Sequence, residues 1–166
     1  MNLIAAVDSK FGIGRDNKLL VSIPEDMKFF RSTTMDKTVI LGRRTLESFP
    51  NGAPLKRRRN IVLTRKDIEI PGAEVAHSVE EALELVKNED PDNVFVIGGE
   101  TVYRAFLPYC SRAYLTKIDY AYEADAFFPN LDEDPEWKIE EESEEKTCFD
   151  LCYTFVTYRR KEGTQK

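Results

Sequence analysis

Short, continuously apolar segments alternate with segments of helical periodicity along most of the chain. The apolar segments predict buried strands at residues 3–7, 38–42, 60–64, 93–97 and 113–118, with residues 75–76 as a further short strand. The segments between them predict helices at residues 22–34, 43–49, 78–86 and 100–107. Strands that alternate with helices imply right-handed crossovers and a largely parallel sheet. The predicted fold is α/β, a single three-layer domain over residues 1–166, with a mostly parallel central sheet flanked by helices.

The two remaining segments differ from this alternation. From Phe149 to Phe155 apolar residues alternate with less apolar neighbours, which predicts an antiparallel C-terminal hairpin of residues 137–142 against 147–158. Residues 9–20 contain Gly12 and Gly14 and predict a loop. A loop of this length in a compact domain is often a lid or a binding loop.

The helix at residues 22–34 has a clear start signal. Ser22 is a favourable N-cap residue, Glu25 stands three positions later as in a capping box, and Pro24 is tolerated in the first turn. The start signal therefore predicts a helix whose first turn is capped by the Ser22 side chain. Ser78 and Glu81 give the same capping-box signal at the start of the helix at residues 78–86.

Asp26 is the unusual residue of this helix. Ile23, Met27, Phe30 and Thr34 form an apolar stripe, and Asp26 lies at its edge. One interpretation is an acid favoured by the helix dipole in the first turn. The other is a carboxylate that faces a pocket lined by Met27 and Phe30.

The charge of the chain limits the kinds of ligand or partner that the protein is expected to bind. The net charge of -6 argues against general affinity for nucleic acid or anionic membranes. Acidic residues concentrate between positions 132 and 145, whereas positions 43–66 are rich in Arg and Lys. An acidic protein with a basic cleft fits a small anionic ligand better than a polymer. The basic segment Lys56–Arg59 could also be a nucleic-acid patch, but its place before a buried strand favours an arginine that binds a ligand carboxylate.

The remaining candidate groups indicate a reduced, metal-free protein. The three cysteines contain no C-x-x-C pair, and the short apolar N-terminus is neither a signal peptide nor a membrane span. We therefore expect a cytoplasmic protein. His77 has no ligand companions and is interpreted as a loop residue, so no metal site is predicted.

Three strand ends carry phosphate-type signals. Gly42–Thr45 joins a strand to a helix, so backbone N–H groups, the Thr45 hydroxyl and two arginines could face a phosphate together. Thr64–Arg65 ends the next strand, and Gly98–Gly99 allows the backbone a close approach to a ligand. Each signal alone also fits a cap, a solvated charge or a tight turn. Their convergence at one sheet edge, where α/β proteins bind ligands, favours a binding site.

These motifs together resemble the dihydrofolate reductase family in its bacterial form, over essentially the whole chain. The residues that carry the resemblance are residues 3–6, 12–14, 23–30, 39–45, 54–58, 60–65, 97–103 and 114–116. The resemblance implies NADPH-dependent reduction of 7,8-dihydrofolate to 5,6,7,8-tetrahydrofolate, by hydride transfer to C6 and protonation of N5. It also implies a small-molecule substrate. From the acidic net charge we expect no nucleic-acid or membrane partner, and we expect a monomer.

The resemblance assigns the site residues by position. Asp26 matches the catalytic acid of the pterin pocket, with Thr116 as its support, and Arg58 matches the arginine that binds the glutamate α-carboxylate. The further substrate-binding positions are Ile4, Ala5, Met27, Phe30 and Leu55. The cofactor-binding positions are Ala6, Ile13, Gly14, Gly42, Arg43, Arg44, Thr45, Leu63, Thr64, Arg65, Ile97, Gly98, Gly99, Glu100, Thr101, Val102 and Tyr103. The resemblance also implies a cis peptide bond between Gly98 and Gly99.

Two departures from the family pattern affect these expectations. Val21 stands where the family usually has Trp, which puts loop packing and an ordered water in question. Glu100 and Thr101 stand where some members have an arginine for the 2′-phosphate, so more of that role should fall on Arg44 and Arg65. The route of the N5 proton stays open, either through Asp26 or from water. A folate-binding protein without turnover and a related pyrimidine reductase stay as alternatives.

Overall fold

The structure is a computed structural model and describes residues 1–161. Its helices are α1 (Pro24–Thr34), α2 (Arg43–Glu47), α3 (Val79–Val86) and α4 (Glu100–Phe106). Its strands are β1 (Asn2–Val7), β2 (Gly12–Arg15), β3 (Lys18–Leu19), β4 (Thr38–Gly42), β5 (Arg59–Leu63), β6 (Glu74–Ala76), β7 (Val94–Gly98), β8 (Arg112–Ile118), β9 (Ala126–Phe127), β10 (Trp137–Glu142), β11 (Lys146–Cys148) and β12 (Leu151–Arg160).

The central sheet confirms the predicted architecture. Its strand order is β10-β12-β8-β1-β7-β4-β5-β6, with β11 added on β12. The strands from β8 to β6 run parallel, and β12 joins β8 in the antiparallel direction. The predicted antiparallel pairing of residues 137–142 with the last strand is confirmed, because β10 pairs with β12. The predicted single strand at residues 147–158 was wrong, because Phe149 has a φ of 56° and forms a turn with Asp150 that separates β11 from β12, its antiparallel partner.

Helices cover both faces of the sheet and make three layers. On one face, buried side chains of β1 and β7, such as Leu3 and Val96, pack with residues of α3 and α4. On the other face, Ile4 and Leu41 pack with residues of α1 and α2. Successive residues of a strand point to opposite faces, so a strand that is apolar throughout serves both cores.

The prediction of a simple loop at residues 9–20 was wrong. This segment contains β2 and β3, which form a small antiparallel sheet with β9. Asp16 and Asn17 between them both have positive φ, at 51° and 60°. A two-residue turn of this conformation matches the twist of a hairpin, and Asp and Asn tolerate it best after Gly.

The predicted capping of α1 by Ser22 was also wrong. The N-cap residue is Ile23, which makes no side-chain capping bond. The Ser22 hydroxyl instead donates to Met27 Sδ at 2.8 Å. The corresponding signal at α3 was correct, because Ser78 Oγ accepts a hydrogen bond from the Glu81 backbone N–H at 3.0 Å. α1 is thus held by its contacts with the sheet and not by a local cap.

Candidate active site

Asp26 and Thr116 meet where α1 crosses the sheet. Asp26 is in the first turn of α1, and Thr116 is a buried residue of β8. The Thr116 hydroxyl donates a hydrogen bond of 2.5 Å to Asp26 Oδ1. The helix places the acid over the sheet, and the strand supplies its fixed partner.

Burial is the main influence on the Asp26 carboxyl group. It raises the pKa of Asp26 above its ordinary value, and the hydrogen bond from Thr116 opposes part of that rise. Burial also raises the pKa of Tyr103, and the charge on Asp26 adds to that rise. The Tyr103 hydroxyl donates to the Ile4 carbonyl at 2.7 Å. This bond joins a residue predicted to contact the cofactor to one predicted to contact the substrate.

Three of the apolar residues predicted to contact substrate pack together. Ile4 is a buried member of one core cluster, and Phe30 and Leu55 pack against that cluster. Met27, predicted for the same pocket, is 49% exposed. Ala5 packs at the margin of the core on the other face of the sheet, although it was also predicted to contact substrate.

Arg58 is held by neutral groups. Its Nε donates to Thr34 Oγ1 at 3.1 Å, and its two terminal nitrogens donate to the carbonyls of Lys56 and Arg31 at 2.7 and 3.0 Å. No ion pair joins Arg58 to a carboxylate within residues 1–161, whereas Arg57 pairs with Asp36. Arg58 is therefore the oriented guanidinium of this basic segment whose charge is left for a ligand.

The two neighbouring arginines have structural partners. Arg57 donates two hydrogen bonds to Asp36, and Arg59 binds Glu74 and Glu89 beside β5. These ion pairs explain how three consecutive arginines can precede a buried strand. They also remove most of the uncompensated charge that a nucleic-acid surface would need.

Glycines bring β4, β7 and the starts of two helices together. A Cβ on Gly42 would lie 3.1 Å from Val102 Cγ2, and one on Gly99 would lie 3.4 Å from Thr45 Oγ1. The Gly98–Gly99 peptide bond is cis, as the family resemblance implied. A Cβ on Gly98 would approach the Tyr103 ring at 3.3 Å. The predicted glycine, threonine and tyrosine positions thus form one cradle at the carboxyl ends of the strands.

The residues predicted to bind phosphate differ in whether they already form an ion pair. Arg43 pairs with Glu47 at 3.0 Å, whereas Arg44 and Arg65 form no ion pair within the described chain. Thr64 follows β5, and its carbonyl lies 2.9 Å from His77 Nδ1. His77 is exposed in a bend, so its predicted place outside helices and strands is confirmed. The ring lies at the same sheet edge as Arg65.

The β2–β3 hairpin closes one side of the cradle. It contains Ile13 and Gly14, and the Asn17 side chain donates to the Arg44 carbonyl at 2.7 Å. The buried Asp8 carboxylate accepts hydrogen bonds from the backbone N–H groups of Gly12 and Tyr122. Sequence reasoning did not select Asn17 or Asp8 as site residues. Their turn-type composition was visible, but their partners lie far along the chain.

Several other predicted cofactor residues have structural contacts of their own. Glu100 accepts from the Phe127 backbone N–H at 3.1 Å and pairs with Arg104 at 3.4 Å. Val102 is buried and Thr101 is exposed on α4. The remaining predicted residues lie in or beside the ends of the central strands: Ala6, Leu63 and Ile97.

Together these features define an α/β protein of the nucleotide-binding kind, with a half-buried carboxylate, an arginine that has no acidic partner among the described residues, and a glycine cradle at the carboxyl ends of its strands. The cradle fits NADPH, because its glycines let the strand ends and the helix starts approach closely, and because Arg44 and Arg65 form no ion pair within the described residues and so have charge available for phosphate.

Comparisons with known proteins agree. The sequence model of the dihydrofolate reductase family matches residues 1–160. The dihydrofolate reductase of Staphylococcus haemolyticus is 42% identical over 164 residues, covering 96% of this chain and 95% of that protein. The one from Bacillus subtilis is 36% identical, covering 99% and 97%. A solved dihydrofolate reductase from Enterococcus faecalis, complexed with NADP(H) and RAB-propyl, matches with a TM-score of 0.86 and 34% identity, covering 97% and 96%.

The chain belongs to the dihydrofolate reductase family. It is accordingly an NADPH-dependent oxidoreductase that acts on dihydrofolate. None of the helices within residues 1–161 is long and apolar enough to cross a membrane. In the same residues, no group of three or more His, Cys, Asp or Glu side chains could hold a metal ion.

Proposed function

We propose that Asp26 is the group that binds the pterin of 7,8-dihydrofolate and promotes its reduction to 5,6,7,8-tetrahydrofolate. The observation that carries this proposal is a half-buried carboxylate with a raised pKa, fixed by Thr116 at the ligand-binding edge of the sheet. Such a carboxylate can accept hydrogen bonds from the pterin amide and amino groups. It also stabilises positive character on the pterin when N5 gains its proton.

When bound, NADPH would supply the hydride for reduction at C6. The protein's own contribution is to hold the two molecules in contact and to keep water from the reacting atoms. The glycine cradle of Gly42, Gly98 and Gly99 supports the cofactor side. Ile4 and Phe30 would support the pterin side, since they pack in one apolar cluster.

Arg58 would bind the α-carboxylate of the glutamate tail. Its three oriented hydrogen bonds to neutral acceptors hold the guanidinium in place and leave its charge uncompensated. A guanidinium with this arrangement can form a bidentate pair with a carboxylate. Met27 and Leu55 would then line the path between the pterin and the tail.

Arg44 and Arg65 would bind the 2′-phosphate that distinguishes NADPH from NADH. The charge of Arg43 is partly compensated by Glu47. Positions 100 and 101 hold Glu and Thr, so neither supplies an arginine for the phosphate. The unpaired Arg44 and Arg65 are therefore the stronger candidates for the 2′-phosphate. Ile13, Gly14 and the β2–β3 hairpin would cover the nicotinamide.

We further propose that the chain acts as a monomeric, cytoplasmic, single-domain enzyme of residues 1–166 without a nucleic-acid partner. The pairing of Arg57 and Arg59 with acidic residues supports the last point. Residues 162–166 of the proposed domain lie outside the described part. Sedimentation analysis and RNA and DNA binding at varied salt would test these points, since salt-sensitive binding would contradict the proposal.

The function is tested by loss of NADPH absorbance when dihydrofolate is added. We expect turnover in the wild-type protein and a fall of kcat by about 100-fold or more in Asp26→Asn, the size of effect that general acid catalysis gives. Asp67→Asn, at an exposed acid between β5 and β6, is the matched control and should retain the wild-type rate. Folate binding without turnover would instead support a binding protein, and equal rates for Asp26→Asn and wild type would overturn the role of Asp26.

A further inference from the structure

A tyrosine of the last strand binds the residue next to Asp26. The Tyr153 hydroxyl donates a hydrogen bond of 2.8 Å to Glu25 Oε1. Tyr153 lies in β12 and is 4% exposed, whereas Glu25 is an exposed residue in the first turn of α1. The two residues are 128 positions apart in the sequence. This contact involves no residue predicted to touch substrate or cofactor.

The strands below α1 present Tyr153 and Thr116 on one face. In the pairing of β8 with β12, Thr116 is opposite Phe155 and Ile118 is opposite Tyr153. Directly paired residues share a face, and so do residues two apart in a strand. Four neighbouring side chains of two strands therefore form the surface on which α1 rests.

Each contact from α1 meets this surface at a different point. Asp26 accepts from Thr116 and Glu25 accepts from Tyr153. Phe29 packs on Phe155 with ring centroids 4.9 Å apart.

The residues just before α1 pack on the same surface. Ile23 belongs to the same buried cluster as Tyr153. Val21, which replaces the family's usual Trp, packs at the edge of that cluster. The first turn thus depends on the sheet for its orientation, because it has no side-chain cap.

We propose that Tyr153 is a positioning residue that orients the Asp26 carboxylate through its hydrogen bond to Glu25; this inference rests on the proposed role of Asp26. Consecutive helical residues are rotated by roughly 100° about the helix axis. Two hydroxyl–carboxylate bonds at consecutive residues therefore resist rotation of the first turn, which a single bond to Asp26 would allow.

The Tyr153 hydroxyl is suited to this task. Burial, together with the Glu25 carboxylate, raises the pKa of Tyr153 to about 12, so it remains a hydrogen-bond donor at neutral pH. Phenylalanine would fill the same space and keep the edge-to-face contact with Phe155. Packing alone therefore does not explain the hydroxyl, whereas orientation of Glu25 does.

The test compares Tyr153→Phe with wild type in single-turnover hydride transfer, using NADPH and dihydrofolate. We expect the rate to fall by about three- to tenfold, because small misplacements of catalytic groups have effects of this size or larger. We also expect the pH midpoint of the rate to move to lower pH. A loosened Asp26 is better hydrated, and hydration reduces the rise of its pKa. The dissociation constant of NADPH should stay within about twofold, since the hydroxyl that is removed donates to Glu25 and not to a residue of the cofactor cradle.

Tyr158→Phe is the matched control for loss of a buried tyrosine hydroxyl. Tyr158 lies in the same strand and donates to Asp132 Oδ1 at 2.6 Å, so its variant should keep the wild-type pH midpoint. Glu25→Ala should reproduce the effect of Tyr153→Phe, and the double variant should add nothing further. Glu25→Gln retains an acceptor oxygen and should recover most of the rate.

The outcomes separate this inference from the proposed function. A Tyr153→Phe protein with the wild-type rate and pH midpoint would overturn it. Additive effects of Tyr153→Phe and Glu25→Ala would overturn it as well, because independent residues give additive changes. Failure of the wild-type protein to oxidise NADPH would instead contradict the function itself. Glu25 is exposed, so its variants test the inference even if Tyr153→Phe folds poorly.

Discussion

The Thr116 hydroxyl and the Asp26 carboxylate are separated by 90 positions in the sequence and joined by a hydrogen bond of 2.5 Å. This bond stabilises the ionised form of Asp26, so it opposes the effect of burial on the pKa. The pairing therefore sets the pH range over which the site can work, as well as the direction in which the carboxylate points.

Thr116→Val should move the activity profile to higher pH. The substitution keeps the shape of the side chain but removes the donor, which raises the pKa of Asp26 further. The pH dependence of kcat/KM for dihydrofolate measures this shift. Thr157→Val on the neighbouring β12 is the control and should leave the midpoint in place. A shift to lower pH would contradict the assigned bond.

Asp26→Asn should stabilise the fold at neutral pH while it abolishes most activity. Because the pKa of Asp26 is raised on folding from an ordinary value of 3.8, the wild-type protein loses stability as pH rises through the folded-state pKa. Asparagine does not titrate and can still accept from Thr116. The difference in melting temperature, variant minus wild type, should therefore grow from acid to neutral pH. Asp67→Asn should show no such growth, and a constant difference for Asp26→Asn would refute the raised pKa.

Arg58→Leu should weaken substrate binding specifically. Loss of a charge-assisted pair worth about 1.5–3 kcal/mol corresponds to a rise of roughly 10- to 100-fold in the KM for dihydrofolate. The KM for NADPH should change little. Arg57→Leu removes an adjacent arginine that is paired with Asp36, so it serves as the control. Equal effects of the two variants would show that general positive charge, and not an oriented guanidinium, binds the tail.

Arg65→Leu should reduce the preference for NADPH over NADH. The lost phosphate contact should raise the KM for NADPH by about tenfold and leave that for NADH within about twofold. Arg44→Leu should act in the same direction. Arg159→Leu, next to the amino end of β8 and paired with Glu140, should change neither value. An unchanged cofactor preference in both test variants would assign the phosphate site elsewhere.

Gly98→Ala should damage the cofactor cradle. Gly98 has φ of +124°, and a Cβ there would press on the Tyr103 ring at 3.3 Å. We expect a loss of about 1–3 kcal/mol in unfolding free energy from backbone strain, together with weaker NADPH binding. Gly52→Ala is the matched control, because Gly52 has φ of +59° but open space around its Cβ position. It should lose some stability and keep NADPH affinity, as measured by urea unfolding and fluorescence titration.

Local patterns predicted the central strands well. The segment 38–42 was predicted residue for residue, because a short apolar run between polar breaks has few alternatives. The capping signal at Ser78 was also correct. Ser22 offered the same signal and failed, because α1 begins one position later, with Ile23 as its N-cap, and the Ser22 hydroxyl donates to Met27 of the same helix. A capping motif in the sequence identifies a candidate helix start, and the folded structure determines which residue becomes the N-cap.

The site was predictable only as far as its residue types were unusual. Asp26 beside an apolar stripe could be selected from the sequence. The sequence could not show that Arg57 and Arg59 form ion pairs while Arg58 does not. The acidic partners of Arg57 and Arg59 lie in other segments of the chain, and consecutive arginines have the same local sequence pattern. Family resemblance selected Arg58, and the structure supplies a physical reason for that choice. Neither source indicated Tyr153, whose role depends on the register between β8 and β12.

The position of β12 between β8 and β10 has a consequence for biosynthesis. The ribosome makes α1 early, but Tyr153 and Phe155, on which it rests, are translated more than 100 residues later. Until then the edge of β8 that pairs with β12 is unpaired, and α1 lacks the side chains of β12 on which it packs. The nascent chain therefore cannot assemble a competent catalytic centre until this late strand has emerged, and it depends on avoiding wrong partners for that open edge during the interval.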